Sequence, residues 1–223
     1  MEEKEIAALD LTKIRWDANG LVPAIVQDEE TKEVLMLAYM NEASLRRSLQ
    51  EGKACYYSRS RQSLWLKGET SGHFQEITDI KFDCDQDAIL LTVRQKGMAC
   101  HENHFSCFHY DLQSDGFQTA GEPEVRPEPP LGRTLELLAD VVRSRNLERP
   151  EGAYTTYLFS KGLDKILKKV GEESAEVIIA AKNGSAEEIT YETADLFYHL
   201  LVMLEERGVG VGDISKELLK RRK

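Results

Sequence analysis

Three cysteines stand in settings that suit metal chemistry: Cys84 within Asp83-Cys84-Asp85-Gln86-Asp87, Cys100 before His101, and Cys107 in Ser106-Cys107-Phe108. Structural zinc sites usually close a tetrahedron with four ligands, often from paired CxxC knuckles, and this sequence has no such knuckle. Three thiolates with no evident fourth ligand leave a position for water, whose pKa zinc lowers to ~7. Three buried, unliganded cysteines have the same spacing, so both readings stand. Cys55 lacks this context and reads as a small core residue. His101 suits a ligand, a proton shuttle or a core histidine, and with His104 and His109 nearby spacing does not choose.

If the segment 83–87 is extended, Asp83, Asp85 and Asp87 fall on one face and Cys84 on the other. Close carboxylates repel unless a cation sits among them, and oxygen ligands suit Mg²⁺; a solvated surface turn is the plainer alternative. A single chain struggles to bring Cys84 to Cys100 and Cys107 while the aspartates face substrate. A dimer that shares zinc resolves this. Upstream, Arg59, Arg61 and Lys67 lie among Trp65, Ser71, His73 and two glycines, Gly68 and Gly72. Guanidinium forks, a lysine and a closely approachable backbone suit phosphate, as does the outer face of a charged hairpin suit water.

The second half carries Glu172-Glu173-x-x-Glu176 and Glu192-x-x-Asp195. At about 100° per residue, the first three share an arc of one helix and the last two share a face of another, with His199. Lys168–Glu172 and Lys169–Glu173 are i,i+4 pairs, which a solvated face also shows. The arcs are bordered, however, by Ile179 and Ala180 and by Leu196, Val202 and Met203. Acids edged by apolar residues need a metal or cationic partner, and two facing stripes make a Mg²⁺ site able to hold a triphosphate.

These groups require two kinds of scaffold. Residues 120–130 hold four of the six prolines and read as a stiff linker between residues 1–119 and 131–223. Before the linker, residues 23–27, 54–61 and 88–94 read as strands, and residues 33–50 as a helix interrupted at Asn41 and ended by Gly52. The fold expected there is α+β with strands dominant. After it, helices are predicted over 131–145, 160–183, 186–207 and 212–222, with Ser160 and Ser185 as caps and Gly184 and Gly208 as stops. Four antiparallel helices make an all-α bundle.

The net charge of −10 argues against coating nucleic acid through its phosphates. No apolar run is long enough to span a bilayer, the first ten residues are acidic and mixed rather than leader-like, and a cytoplasmic location is the default expectation. Four cysteines in that compartment point to metal or catalysis rather than disulfides.

Tyr56-Tyr57-Ser58-Arg59-Ser60-Arg61, Trp65-x-Lys67-Gly68-Glu69-x-Ser71-Gly72-His73, Asp83-Cys84-Asp85-x-Asp87 and Ala99-Cys100-His101…Ser106-Cys107-Phe108 together resemble phosphoribosyl-AMP cyclohydrolase of histidine biosynthesis, over most of residues 12–115. The resemblance implies a homodimer with zinc on Cys84, Cys100 and Cys107 drawn from both subunits, magnesium on Asp83, Asp85 and Asp87, and opening of the adenine ring of phosphoribosyl-AMP between N1 and C6. One departure is visible: Glu102-Asn103 stands where that family often has Thr-Gly.

Residues 131–222 resemble the all-α nucleotide pyrophosphohydrolases, most closely phosphoribosyl-ATP pyrophosphatase. Tyr154-Thr155, Gly162-Leu163, Lys169-Val170-Gly171-Glu172-Glu173-x-x-Glu176 and Glu192-x-x-Asp195-Leu196-x-Tyr198-His199 carry the likeness. It implies magnesium on Glu172, Glu173, Glu176, Glu192 and Asp195, Lys169 facing phosphate, and release of diphosphate from phosphoribosyl-ATP. A house-cleaning nucleotide pyrophosphatase with a zinc-stabilised accessory domain is the alternative, and a non-enzymatic zinc-dependent nucleotide-binding module a second.

Overall fold

The computed structural model describes residues 9–114 and 116–222, so most of the acidic stretch read for a leader lies outside the described residues. The chain divides into two compact units, Met1–Pro129 and Pro130–Lys223.

In the first unit, β1 (Val22–Asp28) and β6 (Ile89–Gln95) are parallel neighbours at the centre of a four-stranded sheet, with β2 (Val34–Met40) and β5 (Gln75–Phe82) antiparallel at its edges. Period-two alternation puts Val22, Ala24 and Val26 of β1 and Ile89, Leu91 and Val93 of β6 into one core with Leu35, Met40, Leu45 and Tyr56. Two further hairpins, β3 (Cys55–Ser58) with β4 (Ser63–Leu66) and β7 (Tyr110–Gln113) with β8 (Gly116–Thr119), complete the strands.

Residues 33–50 are not one helix. Their first part is β2, and α1 (Glu42–Glu51) begins after Asn41, whose side chain accepts from the Ser44 amide while Ser44 Oγ accepts from the Asn41 amide. Asn41 is thus a cap rather than an interruption. The cause of the difference is the run Val34–Met40: buried without strict alternation, it carries no period that separates strand from helix.

A buried polar chain crosses this unit. Tyr56 donates to Gln75 (2.6 Å), Gln75 donates to Gln95 (2.8 Å), and the Gln95 amide donates to Asp28 (3.3 Å). Asp28 is fully buried and also accepts from Thr31 and from Arg126, 3.2 Å away. Arg126 further reaches Glu30 at 2.9 Å and lies over the Phe105 ring. The proline-rich segment expected as a spacer is therefore strapped to the first unit: the amides of Ala120 and Glu124 donate to His109 and Asn103, and Arg126 neutralises a buried carboxylate.

The second unit is all-helical: α2 (Leu131–Glu148), α3 (Tyr154–Lys161), α4 (Leu163–Asn183), α5 (Ala186–Glu206) and α6 (Val211–Arg221). Val142, Leu158, Phe159, Ile166, Leu201 and Val202 form its core. One helix more than the expected four is present among the described residues. Ser160 lies inside α3, and Gly162, at φ +80°, separates α3 from α4. Gly184 and Ser185 end α4 and cap α5 as expected.

Candidate active sites

A pocket of about 410 Å³ opens in the first unit, lined by Trp65, Lys67, Ser71, His73, Cys100, His101 and Cys107 among others. β4 delivers Trp65; the turn after it delivers Lys67 and Ser71; the loop after β6 delivers Cys100 to Cys107. Gly68, at φ +88°, has no room for a Cβ, which would stand 2.6 Å from the backbone of His73 and Phe74. Gly97 likewise lies under the His73 ring, whose Nδ1 is 3.1 Å from the Met98 carbonyl. Two glycines thus let the two loops close on His73.

Cys100 is buried, and the Cys107 thiol sits against it. Burial first, then the neighbouring Cys100, pushes Cys107 up to about 11. Lys67 is buried, donates to the Ala99 carbonyl at 2.7 Å, and is pulled down by burial against the opposing pull of Cys107 and Cys100. Its ammonium is turned to the thiols rather than out along a hairpin face. His101 Nδ1 is 3.9 Å from Cys100 Sγ. Paired thiols beside one buried lysine suit a soft divalent cation, which stabilises the thiolates that burial disfavours.

Cys84 is not among them. It lies in the turn between β5 and β6, exposed, with its thiol 3.9 Å from Asp85 Oδ1. Cys100 follows the opposite end of β6, a seven-residue strand that spans about 20 Å at ~3.3 Å per residue. One chain does not bring the three cysteines together.

Of the two arrangements open for the aspartates, the segment takes the turn. Residues 84–87 form a turn, with Gln86 at φ +65°, and Asp83 accepts from the amides of Asp87 (3.0 Å) and Ala88 (3.1 Å). The turn nevertheless gathers oxygens of Asp83, Asp85 and Asp87 within 4.8 Å of one another. Burial raises Asp83, but the Ala88 and Asp87 amides outweigh it and hold the carboxyl low; the Asp85 charge pushes Asp87 up. Such a set accommodates a hard, oxygen-loving cation.

Arg59 lies 3.8 Å over the Tyr39 ring and Arg61 5.8 Å over Trp65. Both line a neighbouring pocket that shares Trp65 and Met36 with the first.

In the second unit, α4 and α5 bring Glu173, Glu176 and Glu192 within 4.8 Å of one another. Glu173 is buried, and burial raises it, but its bonds with Lys169 and Glu176 hold it low. Its hydrogen bond with Glu173 pushes Glu176 up, helped by burial and by the charges of Glu173 and Glu192. A cation relieves that conflict. Lys169 reaches Glu173 at 2.6 Å and Glu172 at 3.1 Å, and the bond to Glu173 raises it. Its charge is therefore engaged by carboxylates. Glu172 is held by Lys168 and Lys169 instead of joining the cluster, and Asp195 is outside it too.

His199 emerges as a support that spacing alone did not rank. It is buried, its Nδ1 donates to the Asp195 carbonyl at 2.9 Å, and its Nε2 accepts from Tyr154 at 3.2 Å. Tyr198 meets Thr155 at 2.7 Å. Adjacency of Tyr154-Thr155 to Tyr198-His199 across two helices was the available signal. Among the described residues, no helix is long and apolar enough to cross a membrane.

Residues 36–109 match the family model of phosphoribosyl-AMP cyclohydrolase, and residues 135–222 that of phosphoribosyl-ATP pyrophosphohydrolase. The chain is 49% identical over 211 residues to the histidine biosynthesis bifunctional protein HisIE of Thermoanaerobacter pseudethanolicus, covering 93% of this chain and 98% of that protein. The HisIE proteins of Bacillus subtilis (50% over 209 residues, 94% and 95% covered) and Pyrococcus furiosus (46% over 215 residues, 96% and 97% covered) are similarly related.

Proposed function

The chain belongs to the family of bifunctional histidine-biosynthesis hydrolases, and on that premise we propose how its two units divide two consecutive steps. The helical unit hydrolyses phosphoribosyl-ATP to phosphoribosyl-AMP and diphosphate. The strand-rich unit then opens the adenine ring of the product between N1 and C6.

One observation carries this division: each family match encloses metal-competent groups of its own, paired thiols and clustered aspartates in the first unit and glutamates alone in the second. In the first unit Cys100 and Cys107 would hold zinc together with Cys84 of the partner subunit, and Asp83, Asp85 and Asp87 would hold magnesium. Bound zinc supplies a Lewis acid that activates water near neutral pH. His101, on the pocket wall beside Cys100, moves the proton toward the departing ring nitrogen. Trp65 walls the base, His73 and Ser71 border it, and Arg59 and Arg61 offer their guanidinium groups to substrate phosphate. Lys67 stabilises the thiolates.

In the second unit Glu173, Glu176 and Glu192 form the inner magnesium set, with Glu172 and Asp195 at its margin. When bound there, magnesium would supply positive charge to the triphosphate oxygens, and these glutamates would hold it. Lys169 fixes Glu173 and lends charge to the phosphate. The enzyme acts as a cytoplasmic homodimer.

Separate assays on single variants of the full chain test this. Cys100→Ser should abolish ring opening, followed by ultraviolet absorbance, and leave diphosphate release from phosphoribosyl-ATP intact. Glu176→Gln should do the reverse, with purified phosphoribosyl-AMP still opened. Either variant losing both activities overturns the division.

A further inference from the structure

The loop from Ala99 to His109 carries two thiols and His101 but has no helix or strand of its own, so its shape is set by what holds it. On one side the Cys107 amide donates to the Leu35 carbonyl of β2 at 2.7 Å, and Lys67 donates to the Ala99 carbonyl. Residues 120–126 hold it from another. The Ala120 amide donates to the His109 carbonyl and the Glu124 amide to the Asn103 carbonyl, both at 2.7 Å. Asn103 and Glu124 sit at φ +62° and +63°, which non-glycine residues keep only where their neighbours fix them.

Arg126 closes this segment. Its guanidinium lies 5.2 Å from the ring centroid of buried Phe105 and reaches the Gln95 carbonyl at 3.4 Å, Asp28 at 3.2 Å and Glu30 at 2.9 Å. Gln95 ends β6 just before the loop, and Phe105 stands two residues before Cys107. Neutralising Asp28 needs only a cation. The flat fork laid on Phe105 and turned to a carbonyl does more than that.

We propose that Arg126 is a positioning residue for ring opening. Anchored on Asp28, it fixes Phe105 and, through the Glu124–Asn103 bond, the wall of the pocket that Asn103 lines with Cys100, His101 and Cys107. Those groups thereby keep the spacing the reaction needs, and a misplacement of about 1 Å costs on the order of 100-fold in rate. The inference rests on the reading that ring opening takes place in that pocket.

Ring opening with zinc in excess, diphosphate release and the thermal midpoint, all measured on the full chain, test it. Arg126→Met should lower kcat for ring opening by about tenfold or more with KM within about twofold, while diphosphate release is unchanged. Arg126→Lys keeps a cation for Asp28 without the plate or the fork, so it should recover the midpoint and leave kcat low. Asp28→Asn/Arg126→Met strands no charge, so it reports on the loop even where Arg126→Met fails to fold; its kcat should fall by about tenfold too. A kcat within about twofold of wild type in that double variant or in Arg126→Lys overturns the proposal and leaves Arg126 as a stabiliser of Asp28 alone. A raised KM with kcat kept overturns it as well, because Arg126 would then act on substrate binding rather than on the loop. Ring opening by Cys100→Ser would instead sink the underlying reading, whatever Arg126 does.

Discussion

Cys107 is a thiol that its surroundings keep protonated: burial first and Cys100 second push it up to about 11. Below that value it holds its proton, and a metal must expel it to bind the thiolate. Zinc uptake should therefore release protons and weaken as pH falls, measurable by calorimetry in buffers of different ionisation enthalpy. Uptake with no proton release would remove Cys107 from the ligand set. Gly97 offers a second test. Alanine there puts a Cβ 2.6 Å from the His73 ring at a φ of +66°, so Gly97→Ala should cut ring opening by at least about tenfold while diphosphate release is unchanged. At this scale the sequence was legible where residue types are rare. Cys100, Cys107 and the clustered glutamates announced themselves. The Glu102–His109 contact did not, because it depends on a loop reversing through Asn103, and the Gln75–Gln95 bond depends on strand register.

Elements were legible where period and punctuation agreed. β6 and the helix pair α4–α5, with Gly184 and Ser185 between them, follow directly from alternation, heptad-like spacing and caps. β2 was not, since a continuous apolar run suits a buried strand and a buried helix alike. β5 was missed because its exposed edge position leaves little alternation, and α3 because it is eight residues long and begins without a side-chain cap. The reciprocal Asn41–Ser44 cap makes a prediction here: Asn41→Ala should lower unfolding stability by ~1 kcal/mol in denaturant titration, and no change would mean that β2 alone sets the start of α1.

For the whole molecule, the length of β6 between Cys84 and Cys100 makes assembly a chemical requirement of the proposed zinc site. Inactive Cys84→Ser and Cys100→Ser chains, unfolded together and refolded, should regain ring opening. Half the dimers would be mixed, each with one complete site, so about a quarter of wild-type activity is expected. No recovery would rule out sharing. Arg126 sets a different limit, on how this chain can be divided. A fragment stopped at residue 119 strands the Asp28 carboxylate in a dry interior without its guanidinium, an expected loss of roughly 1–3 kcal/mol seen as a lower thermal midpoint than a fragment stopped at residue 130. Whatever evolutionary or laboratory scissors separate the two catalysts, the segment through Pro129 travels with the first.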